Sequence, residues 1–184
     1  MPLTVSFQLS DSDLKYFRNL IRETKEGAAS RDGAQILDAG RKLLKEMQAA
    51  ELPDFVRERM ERLGLLFQMV EDSEWRLEGQ DRNRVMYAMA YLADPADVIP
   101  DQIPGLGFLD DAIMVELVCQ DLRHEMEAYS DFCAYRTTEE KRRGAGSTPA
   151  TREQWLATRR NQLQERMRRR RASLWESRLG RSLW

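Results

Sequence analysis

Tyr91-Leu92-Ala93-Asp94-Pro95-Ala96-Asp97-Val98-Ile99-Pro100-Asp101-Gln102-Ile103-Pro104-Gly105-Leu106-Gly107-Phe108-Leu109-Asp110-Asp111 is the stretch that decides how the rest of the chain is read. It holds three of the six prolines, two glycines and five aspartates. A helical pattern precedes it and another follows. Proline fixes φ, lacks an N–H and pushes the residue before it out of the helical region, so the stretch is not one regular element. It reads as a stiff, shaped connector. Asp94 stands at a cap position with Pro95 at the first helical position, and Asp101 is placed to cap a second short turn. Gly105 and Gly107 permit positive φ or a close approach. Asp110 and Asp111 fall in the first turn of the next helix, where negative charge is favoured. Leu92, Val98, Ile99, Ile103, Leu106, Phe108 and Leu109 are expected to peg the connector to the bundle.

Outward from the connector, five amphipathic segments read as helices. Ser10 or Ser12 caps the first, with Leu14, Phe17, Leu20 and Ile21 on one side. Asp32 opens a second, Pro53 suits the start of a third, and Asp81 starts a fourth that stops before Pro95. A long fifth is predicted from Phe108 to Tyr135. Lys141 to Pro149 is rich in helix breakers, and a last basic helix is predicted from about Thr151 to Leu179. Thr4 to Ser10 alternates apolar and polar residues, so a short N-terminal strand is expected, one that could pair with its copy across a two-fold axis. The expected fold is therefore all-α, a helical bundle of about five to six helices with a Pro/Asp-rich connector. Its expected divisions are a helical domain over residues 1–136, a linker over 137–150 and a basic amphipathic helical tail over 151–184.

The connector residues resemble a known signature. Tyr-Leu, Asp-Pro-x-Asp-x-Ile-Pro-Asp, Ile-Pro, Gly-x-Gly and Leu-Asp-Asp in this order are similar to the YkvA-like family, a bacterial domain of unknown function. The resemblance covers about Val85 to Tyr129, a motif core of residues 85–129. Family members often have Ser before the first proline, where this chain has Asp94. The resemblance implies a small helical domain and carries no activity, cofactor or catalytic residue.

Charge is unevenly distributed. From Arg136 onward there are 14 Lys/Arg against 5 Asp/Glu, and before it 15 against 26, within a net charge of −2. Cys119 and Cys133 have no metal-knuckle or disulfide spacing and read as reduced thiols of a cytoplasmic protein. No run approaches the ~20 apolar residues of a membrane span, and no secretory signal pattern is seen.

Two groups of residues are candidates for function. Asp94, Asp97, Asp101, Asp110 and Asp111 could converge on Mg²⁺ or Ca²⁺, which take oxygen ligands; equally, each could cap a helix or pair with Arg82 or Arg84. Arg159, Arg160, Arg166, Arg168, Arg169, Arg170 and Arg171 alternate with apolar residues, Trp155 and Trp175 among them. Such a helix suits nucleic-acid phosphates, an anionic membrane surface or an acidic protein face; alternatively it packs on its own bundle and answers the acidic remainder. His124, the only histidine, lies three residues after Asp121, one weak copy of a metal-ligand spacing that bundles use twice. No nucleophile elbow, phosphate loop or dinucleotide fingerprint is present. No cofactor is expected. The reading is a non-enzymatic interaction or regulatory module, with a protein partner or self-association. The alternatives are a metal-binding protein or hydrolase built on the aspartates, and a nucleic-acid or membrane-surface binder working through the tail.

Overall fold

The computed structural model describes residues 6, 8–28, 32–49, 52–92, 99, 103, 106–143 and 148–181. Among these residues there are seven α-helices and no strand. They are α1 (Asp11–Ala28), α2 (Gly33–Ala49), α3 (Asp54–Glu71), α4 (Gly79–Leu92), α5 (Leu109–Asp121), α6 (Arg123–Arg143) and α7 (Pro149–Arg181).

Helix starts follow local chemistry. The Ser10 hydroxyl accepts the Asp13 N–H at 3.4 Å, and the Asp13 carboxylate accepts the Ser10 N–H at 2.8 Å, a reciprocal cap of α1. Asp32 accepts the Ala34 N–H at 3.2 Å to open α2. Thr148 does the same for α7, accepting the Thr151 N–H at 3.3 Å. Gly79 opens α4 with φ +61°, a conformation that costs glycine nothing.

Two expectations are corrected. Of the strand expected over Thr4–Ser10, Thr4, Val5 and Phe7 lie outside the described residues, and Ser6, Gln8, Leu9 and Ser10 carry no regular structure. The single helix expected from Phe108 to Tyr135 is two, raising the count from six to seven. It is interrupted at Leu122, whose side chain is buried. The interruption is one residue long, because the Leu122 carbonyl still accepts the Met126 N–H at 2.9 Å. The segment has neither Pro nor Gly, so periodicity carries no sign of the break.

The chain divides into two compact units, Met1–Gly64 with Asn83–Val118, and Leu65–Arg82 with Cys119–Trp184. In the first unit α5 is the buried element. Ala112, Ile113, Met114 and Val115 are consecutive and all buried, which requires neighbours on every side of the helix. Glu116 interrupts this run half-buried, and α3 answers it: Arg59 Nε donates at 3.0 Å and Arg62 Nη1 at 2.7 Å. Phe17, Ile36, Met47, Val56, Met60 and Val85 bring α1, α2, α3 and α4 into the same core. Burying one such side chain stabilises by about 1.5–3 kcal/mol.

The second unit is built on an aromatic centre. Trp75, fully buried, lies 5.2 Å from the Phe132 ring and 5.7 Å from the Tyr129 ring. Both rings come from α6, whose partner α7 runs antiparallel to it. Their side-chain pairs set the register: Arg152 with Glu140, Trp155 with Tyr135, Arg166 with Asp131, Arg170 with Glu127 and Arg171 with Glu125. Trp155, Leu156, Leu163 and Met167 supply the buried stripe of α7.

Candidate functional site

The carboxylates expected to carry chemistry begin at the first turn of α5. Asp94, Asp97 and Asp101 lie outside the described residues. Asp110 and Asp111 are buried, with 2% and 5% exposure. Burial of a carboxylate is costly unless donors surround it. Asp110 Oδ2 accepts the backbone N–H of Ile99 at 3.0 Å, which ties the middle of the connector to the start of α5. Just before that start, the Ile103 carbonyl accepts the N–H groups of Leu106 and Gly107, at 3.2 and 2.8 Å. Phe108 follows with φ +65°, a left-handed conformation that costs a bulky residue roughly 1–2 kcal/mol. Its ring is buried, which offsets that strain.

The tight turn also reverses two of the expected pegs. Ile103 is 40% exposed and Leu106 52%, because a turn closed on the Ile103 carbonyl directs these side chains outward rather than into the core. Among the described residues, no three His, Cys, Asp or Glu side chains group as cation ligands.

A second acidic centre, in the other unit, was not singled out in the sequence. Asp72 follows α3 directly. Its Oδ1 accepts the N–H groups of Glu74 and Trp75 at 2.9 and 3.1 Å, shaping the loop that presents Trp75. Its Oδ2 accepts the Tyr129 hydroxyl at 3.1 Å and Arg136 Nη1 at 2.8 Å. Burial works to raise the Asp72 carboxyl, but these donors outweigh it and hold the group below its ordinary 3.8. Glu74 is also held below its ordinary value, chiefly by Arg152 and, against some burial, by Arg136. The Tyr129 hydroxyl is pushed up, first by burial and then by the Cys133 thiol and the Asp72 carboxylate. Arg160, itself buried, donates to the Glu74 carbonyl at 2.7 Å, and Gln164 donates to the Trp75 carbonyl at 3.2 Å. The loop after α3 is thus clasped by α6 through Asp72 and by α7 through its own backbone.

The tail residues proposed as an anion or partner site take different positions. Arg159 stacks over the Tyr135 ring at 5.2 Å, and Arg160 holds the loop. Arg166 pairs with Asp131, Arg169 with Glu165, and Arg170 with Glu127 at 3.2 Å. Arg171 Nη1 reaches Glu125, which has no exposure, at 2.7 Å, and also pairs with Asp81. Arg168 is exposed. Trp155 is buried beside Tyr135 and Arg143; the Trp175 side chain lies outside the described residues. Residues 137–143, expected as part of a linker, complete α6. His124 is mostly buried, with Nδ1 3.7 Å from Glu127 Oε2, while Asp121 is exposed.

Asp72-Ser73-Glu74-Trp75 did carry a local signal. An Asp followed by Ser between two helical patterns marks a side-chain-capped turn, and a tryptophan within so short a loop needs burial. Its partners at Tyr129, Arg136 and Arg152 are too distant in sequence to be inferred.

Residues 84–117 match a family described as "Protein of unknown function (DUF1232)". The matched segment is most of α4, the connector and most of α5, and residues 84–117 all lie within the first unit. The chain is similar to the "Uncharacterized membrane protein YkvA" of Bacillus subtilis (strain 168), with 38% identity over 69 residues. That similarity covers 34% of this chain and 63% of the relative's length. No solved structure matches the chain. The chain therefore carries a YkvA-like domain of unknown function.

Proposed function

We propose that this chain is a non-enzymatic interaction module in which the connector acids and the Asp72–Glu74 centre serve architecture. The observation that carries the reading is the buried Asp110 carboxylate receiving the Ile99 N–H. The residue with most chemical promise in the matched segment fixes the path of the backbone. The connector then presents Ile103 and Leu106 to solvent, apolar side chains on a shaped turn that suit a protein partner or a second copy of the chain. Self-association through Thr4–Ser10 is one form of this reading, and a monomeric mass at micromolar concentration counts against it.

A thermal titration tests the module. Asp110→Asn lowers the midpoint, and Mg²⁺, Ca²⁺ or Mn²⁺ leaves the wild-type midpoint unmoved. A metal-dependent rise that Asp110→Asn abolishes gives the acids to a cation instead. That second reading, a Mg²⁺ or Ca²⁺ site with hydrolytic use, has the adjacent buried Asp110 and Asp111 in its favour, with Asp94, Asp97 and Asp101 as further ligands.

We place the module in the cytoplasm. Cys119 and Cys133 stand as thiols without a disulfide, and no helix among the described residues is long and apolar enough to cross a membrane. The relative's description as a membrane protein favours a position at the inner membrane surface over the bulk cytoplasm.

A further inference from the structure

The antiparallel register of α6 and α7 leaves one of them longer at the end away from their connection. Arg171 pairs with Glu125, which is two residues from the start of α6. Arg171 is ten residues from the end of α7. About eight residues of α7, roughly 12 Å of helix at 1.5 Å per residue, therefore run past the start of α6. Arginine is concentrated on this side of the hairpin. α7 carries ten arginines and three glutamates, and seven of those arginines lie from Arg166 onward with Glu176 as their only acidic companion.

The acids of α6 answer part of this charge. Asp131, Glu127 and Glu125 take Arg166, Arg170 and Arg171. Arg168 is exposed, and the Arg169 side chain remains 78% exposed although it pairs with Glu165. Arg178 and Arg181 lie beyond the start of α6 altogether. The helical spacing of the buried Leu156, Leu163 and Met167 continues in sequence to Leu174, with Trp175 and Leu179 at neighbouring positions. Arginine interleaved with Leu and Trp on a helix is the composition of an interfacial element, which takes headgroup charge and acyl surface together. A site for nucleic acid needs the phosphate contacts but not the Leu and Trp positions.

We infer that the distal part of α7, from Arg168 to Arg181, is a docking surface for an anionic phospholipid membrane. The α6–α7 hairpin holds it in place, and the pair of Arg171 with the buried Glu125 is the anchor from which it projects. The inference names the partner of the interaction module and rests on that reading. The headgroup phosphates pair with arginines that the fold leaves exposed, so docking does not require the hairpin to open.

The test uses the full chain and vesicles of phosphatidylglycerol with phosphatidylcholine, with phosphatidylcholine alone as the neutral comparison, at low and physiological salt. The wild type is expected to sediment with the anionic vesicles and stay in solution with the neutral ones, with binding weakened by salt. Arg168→Gln with Arg169→Gln, which removes two exposed charges, is expected to lower the partition roughly thirtyfold and leave the thermal midpoint unchanged. Arg41→Gln with Lys42→Gln, on α2, is expected to leave the partition unchanged. Absence of anionic-vesicle binding, equal binding to neutral vesicles, or wild-type binding by the Arg168/Arg169 variant overturns the inference. So does binding of a DNA or RNA duplex in place of vesicles, since that gives the surface to nucleic acid. The metal titration on Asp110 leaves α7 untouched, so failure here leaves the module reading intact, and failure there leaves the vesicle result standing.

Discussion

The two units hold their helices together by different means. The first surrounds the buried apolar run Ala112–Val115 of α5 and answers the half-buried Glu116 that follows with arginines of α3. The second encloses Trp75 in aromatic rings and then ties its loop, α6 and α7 with arginine–carboxylate bonds. A helix buried on every side gains its stability from area, which is tolerant of partner geometry. A clasp of charges is specific about which residue meets which, because a carboxylate deprived of its arginine is left desolvated. The segment that matches the family of unknown function, residues 84–117, lies wholly in the first unit, the one built on area.

The most severe test of this contrast removes the aromatic centre. Trp75→Ala is expected to cost about 3–5 kcal/mol by denaturant unfolding. A cost near 1 kcal/mol would mean that the charges carry the second unit. Next is Arg171→Met, expected to cost ~2 kcal/mol, below the ~3–5 for a fully buried pair because Arg171 is 29% exposed. Glu125→Met with Arg171→Met should recover most of that loss, since the penalty comes from a stranded Glu125. No recovery would shift the weight to the Asp81 pair.

Asp110→Ala comes third, at about 1–3 kcal/mol, because it strands the Ile99 N–H beside the connector. A pH titration separates the units more gently. Asp72 and Glu74 are held below their ordinary 3.8 and 4.5 when folded, so they bind fewer protons in the native state than in the unfolded one. Their contribution is complete above those ordinary values and is lost as pH falls through the lower folded values. Stability should therefore decline below about pH 4.5, and Asp72→Asn should flatten that decline. An unchanged acid limb in Asp72→Asn would remove the clasp from the explanation. The smallest effect expected is Arg57→Gln, whose Asp54 partner is exposed, within about 0.5 kcal/mol.

Much of the first unit could be seen in the sequence because its determinants are local. Ser10 and Asp32 cap the helices they precede, and the stripes through Phe17, Ile36, Val56 and Met60 are buried as their spacing indicates. The break at Leu122 could not be seen, since the segment has neither Pro nor Gly to disfavour helix there. Ile103 and Leu106 misled for a related reason: hydrophobicity suggests burial, but the hydrogen bonds of a tight turn direct a side chain outward. The charge imbalance between the segments before and after Arg136 indicated that acids and arginines could meet. It did not indicate which ones. Asp72 and Arg136 are 64 residues apart, and Glu74 and Arg152 are 78 apart; only the folded chain brings them together.

Amide exchange at Ile99, followed by NMR with and without Mg²⁺ or Ca²⁺, tests the architectural role of Asp110 most directly. A protected Ile99 amide is expected, unaffected by either cation and exchanging freely in Asp110→Ala, which removes the acceptor. An unprotected amide in the wild type, or protection lost when a cation is added, would contradict it.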